Sequence, residues 1–321
     1  MPKVFITRQI PEAGPKILRE KGFEVEISEI DGVMPREMLL QRVKGADAIL
    51  SLLTDKMNGE LFDAAGPQLK IVANFAVGYD NIDLVAAAAR KIITTNTPNV
   101  LTESVAEMTI ALIFGIAKRM AEADNFMRTG QYQGWGPMLL LGQDVIGKTV
   151  GLVGLGHIGV SVAKRMNRGF DCPILYYDVV RNEAAEKELG LKFVSLEELL
   201  KESDFVSLHT PLTPQTKHLI GEAELKMMKK STYLINTSRG PVIDEKALVE
   251  ALKNSVIRGA ALDVYEEEPK MAPGLVDLKN TILLPHIASA TETTRDHMSE
   301  LAAQNIAAVL EGKEALTPIK I

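Results

Sequence analysis

Six residues constrain the fold of this chain more than any others: Gly154-Leu155-Gly156-His157-Ile158-Gly159. They follow the apolar run Val150-Gly151-Leu152-Val153 and open an amphipathic segment. A strand that turns through glycines into a helix brings the helix's first backbone N–H groups up to the phosphates of a dinucleotide. The glycines allow the tight turn, the close approach and the helix–strand contact. Nineteen residues beyond Gly159, the next apolar run, Leu175-Tyr176-Tyr177, ends at Asp178, where an acid can accept hydrogen bonds from the adenosine ribose. The spacing alone is weak, because a chain with 24 glycines produces it by chance. Its context, with a strand before, a helix after and an acid at the right remove, gives it meaning.

The surrounding pattern agrees. Strands are predicted over 149–153, 174–177, 205–208, 233–235, 260–264 and 281–284. Helices are predicted between them over 158–166, 183–189, 196–201, 222–229 and 245–253. Six strands in βαβ order match a doubly wound dinucleotide-binding sheet. Upstream, strands over 4–7, 25–27, 48–52 and 69–73 alternate with helices over 15–21, 36–43 and 84–90, which implies a second parallel sheet. Between the two series, 103–127 reads as one long helix, with Ser104-x-x-Glu107 able to form a capping box near its start. A glycine-rich loop over 130–137 follows and carries Trp135, the only tryptophan. A last helix over 291–310 comes after the sixth strand and is expected to return to the first domain, making that domain discontinuous.

Composition narrows the function classes. At 321 residues the chain is too long for one ordinary domain, and 46% hydrophobic with 24% charged residues suits a globular protein with ample core. No apolar run approaches the roughly 20 residues that span a bilayer. Met1-Pro2-Lys3 leads straight into Val4-Phe5-Ile6, so no signal peptide and no membrane association are expected. The single Cys172 cannot pair within the chain or build a cysteine metal cage; no metal site is expected, and a cytoplasmic location fits. A net charge of −6 with no basic block argues against nucleic acid as a general partner.

Three polar residues stand at or just past predicted strand ends: Arg239 after Leu234–Ser238, Glu268 after Asp263-Val264-Tyr265, and His286 after Leu283-Leu284-Pro285. Taken singly, each has a bland account. Arg239 can be a surface residue, Glu268 a member of the solvated run Glu266-Glu267-Glu268, and His286 a satisfied core histidine. Past consecutive strands of a nicotinamide-type sheet, they read together as a site for hydride transfer on an α-keto acid. The arginine would grip the carboxylate, the histidine exchange the proton, and the glutamate hold the imidazolium. Asp178 favours NADH over NADPH, because a carboxylate accepts bonds from a free 2′-hydroxyl and repels a 2′-phosphate. Arg181, three residues on, either softens that repulsion or is a plain surface residue.

At this point the chain resembles the NAD(P)-dependent D-isomer-specific 2-hydroxyacid dehydrogenases over nearly its whole length, and most of all their glyoxylate/hydroxypyruvate reductase branch. Six motifs in order carry the resemblance: Asn74–Asp83 (Asn-Phe-Ala-Val-Gly-Tyr-Asp-Asn-Ile-Asp), Gly154–Gly159, His209-Thr210-Pro211-Leu212-Thr213, Asn236-Thr237-Ser238-Arg239-Gly240, Ala261–Pro269 and Pro285–Ala290. The resemblance implies two doubly wound parallel-sheet α/β domains. A Rossmann dinucleotide-binding domain over 99–289, including a dimerisation helix and loop, would be inserted in a discontinuous flavodoxin-like substrate domain over 1–98 and 290–321.

It also implies that Arg239, Glu268 and His286 are catalytic, with Glu268 singled out from its run because it precedes Pro269. Cofactor contacts would come from Thr102, Gly154, Gly156, His157, Ile158, Gly159, Asp178, His209, Thr210, Pro211, Thr237, Ser238, Arg239, Asp263, His286 and Ala288. Substrate contacts would come from Leu53, Val77, Gly78, Arg239, His286 and, across a homodimer, Trp135. The implied reaction is reduction of glyoxylate or hydroxypyruvate by NADH. Rivals are a D-lactate, D-3-phosphoglycerate or phosphite dehydrogenase of the same family, and an NAD-sensing transcriptional corepressor of the same fold. A formate dehydrogenase is disfavoured, since those members carry a glutamine where Glu268 stands and a longer N-terminal region. The chain is not expected to carry a C-terminal regulatory domain.

Overall fold

The computed structural model describes residues 1–320. The chain forms two compact units, one made of Met1–Leu101 with Ser289–Ile321, the other of Thr102–Ala288.

The first unit opens with β1 (Lys3–Ile6), α1 (Ala13–Glu20), β2 (Glu24–Ile27), α2 (Arg36–Arg42), β3 (Ala48–Ser51), α3 (Gly59–Ala65), β4 (Ile71–Asn74), α4 (Leu84–Ala89) and β5 (Ile93–Thr95). All five strands are parallel, in the order β2-β1-β3-β4-β5. β3 and β4 are buried along their whole lengths, as central strands covered on both faces require. α1 stops because Gly22 takes a left-handed φ of 77°. α3 and α4 start where Asn58 and Asp83 accept the N–H groups of Leu61 and Ala86. β5 and α3 are absent from the sequence reading. β5 is only three residues long, and two of these are threonines, too short for a period to show.

The second unit carries α5 (Thr102–Ala117), α6 (Met120–Arg128), β6 (Val150–Val153), α7 (His157–Phe170), β7 (Ile174–Tyr177), α8 (Glu183–Leu189), β8 (Lys192–Phe193), α9 (Leu196–Glu202), β9 (Phe205–Leu208), α10 (Glu222–Met227), β10 (Tyr233–Asn236), α11 (Glu245–Lys253), β11 (Gly259–Leu262) and β12 (Thr281–Leu283). Its parallel sheet runs β12-β11-β10-β9-β6-β7-β8. The order reverses between β6 and β9, and ligands of such sheets sit past the strand C-termini at that reversal. The seventh strand, β8, is a two-residue edge pair that the alternation pattern does not reach.

The long helix expected over 103–127 is two helices. Arg119 between them is left-handed at φ 56°, and the Ala117 carbonyl that would continue the ladder accepts from Gln143 N–H at 2.8 Å. No glycine or proline marks this break, so local propensity is overridden by the segment that docks on the helix end. The expected capping box fails for a related reason. α5 begins at Thr102, which places Ser104 and Glu107 inside the helix.

α12 (Glu292–Leu310) closes the first unit by packing on α1, where Ser299 Oγ accepts Gly14 N–H at 3.0 Å and donates to the Pro11 carbonyl at 2.7 Å. Among the described residues no helix is long and apolar enough to cross a membrane, and no cluster of side chains could hold a metal ion.

Candidate active site

The turn after β6 is built around backbone approaches that only glycine permits. A Cβ on Gly154, whose φ is +97°, would stand 2.8 Å from the His209 carbonyl, and one on Gly159 would stand 2.5 Å from the Gly154 oxygen. Gly156 faces open space, with nothing within 4 Å of an added Cβ. The loop is therefore tight behind and clear in front, and the clear side lies at the N-terminus of α7, where unbonded N–H groups favour phosphate. Beside the loop the Thr210 hydroxyl is buried without a hydrogen-bond partner, a further group that a bound dinucleotide would satisfy.

Asp178 directly follows β7 and is already engaged: Oδ2 accepts Leu155 N–H at 2.6 Å and Oδ1 accepts Val180 N–H at 3.3 Å. A carboxylate has about four lone-pair sites, so both oxygens keep capacity for a ribose. Arg181 is turned to Glu186, at 2.8 and 2.7 Å from its two oxygens. Glu186 also accepts the Tyr176 hydroxyl, and these bonds, Arg181's foremost, hold its carboxyl down at about 2. Arg181 is thus a paired surface residue. His209 sits at the end of β9 with Nε2 3.0 Å from Ser207 Oγ, and burial pushes its imidazole down to about 4.

Past β10, β11 and β12 lie the three candidates for the chemistry, the proton-transfer pair Glu268 and His286 and the carboxylate-gripping Arg239. Glu268 Oε2 lies 2.9 Å from His286 Nδ1, and Oε1 accepts Tyr265 N–H at 3.1 Å. Burial pushes the Glu268 carboxyl up, but the His286 hydrogen bond and charge, the Tyr265 N–H and the Arg239 charge together hold it below the usual carboxylate range. Arg239 is half-buried, with one guanidinium nitrogen donating to the Ser238 carbonyl at 2.8 Å. Its loop is fastened by Asn236, whose side chain donates to the Arg239 carbonyl and accepts from Ser238. Gly240 then lies so close to the Tyr265 carbonyl that a Cβ would sit 1.8 Å from that oxygen. The Arg239 and Glu268 loops therefore share a backbone contact.

His286 has a left-handed backbone, φ 56°, a conformation uncommon outside glycine and more tolerated by histidine than by bulky residues. Asp263, fully buried, holds it there. Its carbonyl accepts His286 N–H at 2.8 Å, and its carboxylate takes Ile287 and Ala288 N–H at 2.7 and 2.8 Å. Burial pushes the Asp263 carboxyl up against those two bonds.

In the first unit, the turn after β3 and the loop after β4 are tied into one piece. Asn81 donates to the Leu52 and Asp55 carbonyls, both at 3.0 Å, and pairs with Asn74. Buried Asp55 accepts Leu52 N–H, which shapes the turn that carries Leu53. The Val77 and Gly78 carbonyls accept from Asn96 at 2.7 Å and Asn74 at 2.9 Å. Their N–H groups have no acceptor among the described residues, leaving two adjacent donors for an anion.

Residues 110–288 match the family model described as "D-isomer specific 2-hydroxyacid dehydrogenase, NAD binding domain". The chain belongs to the D-isomer specific 2-hydroxyacid dehydrogenases. The dehydrogenase is 51% identical over 316 residues to the glyoxylate reductase of Thermococcus litoralis, covering 97% of this chain and 95% of that one. A solved protein of Thermus thermophilus superposes at a TM-score of 0.92 with 43% identity, covering 99% of this chain and 100% of that one. An NADPH-dependent glyoxylate/hydroxypyruvate reductase of Sinorhizobium meliloti, solved with NADP and malonate, superposes at 0.86 with 35% identity, covering 99% of this chain and 96% of that one.

Other candidates of the dehydrogenase fall around the same strand ends. Thr102 starts α5, His157 is exposed on the glycine loop, Ile158 is half-buried behind it, and Pro211 is exposed past His209. Thr237 is buried with its hydroxyl 2.9 Å from that of Thr109 on α5, and Ser238 is bound to Asn236. Trp135 is 84% exposed and so does not pack on its own unit, against the bland account of a lone tryptophan. A cavity of about 350 Å³ lies at the opposite end of the sheet, near the starts of β10 and β12, and includes none of these residues. Sequence reasoning missed Asn236, Asp55 and Glu245. Glu245 is 4% exposed with no cation beside it among the described residues, and in sequence it looks like any acid in a first helical turn.

Proposed function

We propose that this dehydrogenase reduces glyoxylate or hydroxypyruvate to the corresponding 2-hydroxy acid, with NADH preferred to NADPH. The observation that carries the reading is the Glu268–His286 pair at 2.9 Å with Arg239 beside it, past the strand ends of a sheet whose first turn is shaped for a pyrophosphate. The glyoxylate reductase name of relatives at half identity selects the substrate class. A nicotinamide dinucleotide, when bound, supplies the hydride. The glycine loop would hold its pyrophosphate, Asp178 its ribose and Thr210 a further polar group.

Arg239 fixes the substrate carboxylate and polarises the ketone with its planar fork, and in the first unit the Val77 and Gly78 N–H groups are donors of the kind a carboxylate takes. Leu53 lines the substrate's small side chain. His286, with Nδ1 committed to Glu268, gives the proton on Nε2 to the oxygen that becomes the hydroxyl. Glu268 holds the imidazolium in that orientation. Two features support the NADH preference: Asp178 follows the second strand of the dinucleotide fold, where a ribose would lie, and Arg181 is tied to Glu186. A neighbour at 35% identity is NADPH-dependent, so on this reading the preference rests on the local residues Asp178 and Arg181.

The test is kcat/KM for glyoxylate, hydroxypyruvate, pyruvate, 3-phosphohydroxypyruvate and phosphite, each with both cofactors. Glyoxylate or hydroxypyruvate with NADH should lead. A lead by another substrate moves the protein elsewhere in its family, and no turnover at all would leave a dinucleotide-binding module.

A further inference from the structure

Among the described residues Glu245 is the one buried glutamate of the second unit, and the catalytic reading gives it no task. It is the first residue of α11, and its carboxylate faces backbone, not a cation. Oε2 accepts Glu266 N–H and Oε1 accepts Ala272 N–H, both at 2.6 Å. These two amides bracket the segment that carries Glu268. The contact is reciprocal, because Glu266 Oε2 accepts Glu245 N–H at 3.2 Å while Glu266 Oε1 lies 2.6 Å from His218 Nε2. One carboxylate thus pins both ends of a loop whose middle must present Glu268 to His286. No regular secondary structure holds that loop; its one internal pairing is the isolated bridge between Glu267 and Lys270.

We infer that Glu245 is a positioning residue for the proton-transfer pair. It acts by clamping the Glu266 and Ala272 amides so that Glu268 stays within hydrogen-bond reach of His286. The physical case rests on acceptor count. Two converging N–H donors need two acceptor oxygens, and a carboxylate is the side chain that supplies them from one point. In Glu245→Gln one of the two donors meets an NH2 group, leaving a buried amide unpaired and freeing one end of the loop. Alanine would free both. A role through Glu268 also predicts coupling: once Glu268 cannot stabilise the imidazolium, a looser loop has little left to spoil.

This inference rests on the proposed roles of Glu268 and His286, and the test separates the two. The kcat/KM profile against pH is measured for glyoxylate reduction by the wild type, Glu268→Gln, Glu245→Gln and the double variant, with NADH affinity from fluorescence titration. Glu245→Gln should lower kcat/KM by at least about tenfold. Its alkaline limb should move to lower pH, in the same direction as in Glu268→Gln, with NADH affinity changed by less than about twofold. The double variant should be no worse than Glu268→Gln. If Glu268→Gln leaves the limb in place, the catalytic assignment falls. If Glu268→Gln moves the limb while Glu245→Gln does not, or if the two losses multiply, the clamp falls. Should Glu245→Gln fail to fold, Glu245→Asp, which keeps both acceptors on a shorter arm, is read by the same criteria.

Discussion

At Arg239, charge and shape can be separated by a single substitution. Lysine preserves the positive charge but loses the planar fork that can engage a carboxylate through two parallel bonds while one nitrogen donates to the Ser238 carbonyl. Arg239→Lys should therefore lower kcat/KM by at least about tenfold, equivalent to about 1.4 kcal/mol, and near-wild-type turnover would mean the substrate is anchored elsewhere. Asp178 poses the cofactor question in the same form. NADH should exceed NADPH by at least about tenfold in kcat/KM, and Asp178→Ser should narrow the gap mainly by improving NADPH. Equal use of both by the unmodified protein would reduce Asp178 to a tether for Leu155. The residues with exposed chemistry were legible in the sequence because they recur at strand ends: Arg239, Glu268, His286 and the glycines. Their holders were not. Asp263 was expected only as a cofactor contact, and Asn236 and Glu245 had no assigned role; all three accept backbone N–H groups brought close by the fold, and nothing in a residue's type announces which amides will face it.

Elements were legible where a period had room to repeat. α8 and α11 coincide with their sequence bounds, and β7 and β9 do too, because each has turn residues or a cap at its ends. β5 and β8 were too short to show a period, and the α5–α6 break depends on Gln143, a residue outside both helices. His209, the residue after β9, should make stability depend on pH. Its buried imidazole is held down to about 4 from an ordinary value of 6.5. As pH falls from about 6.5 to about 4, the unfolded chain takes up a proton that the folded chain resists, so stability declines across that window and not above it. The loss should reach at most about 3 kcal/mol. His209→Gln removes this contribution, so thermal melts from pH 7 to 4 should decline less steeply in the variant once the carboxylates common to both are subtracted. Parallel declines would mean the folded protein accommodates the imidazolium.

For the whole molecule, the exposed surface after α6 carries an expectation about assembly. Trp135 at 84% exposure has Met138 at 76% and Leu141 at 50% nearby in the chain, an apolar stretch that its own unit leaves uncovered. A homodimer that covers it should be the active species in sedimentation, and Trp135→Ala should alter the ranking of keto acids while sparing NADH affinity. An active monomer, or an unchanged ranking, would rule this out. The path of the chain has one more consequence, for the order in which the molecule is made. The second unit is a continuous stretch, Thr102–Ala288, whereas the first waits for α12 to cover α1. On the ribosome, then, residues 1–101 finish folding after the unit that follows them: their apolar helix faces stay without their partner until α12 has emerged, by which time the inserted unit can already be folded.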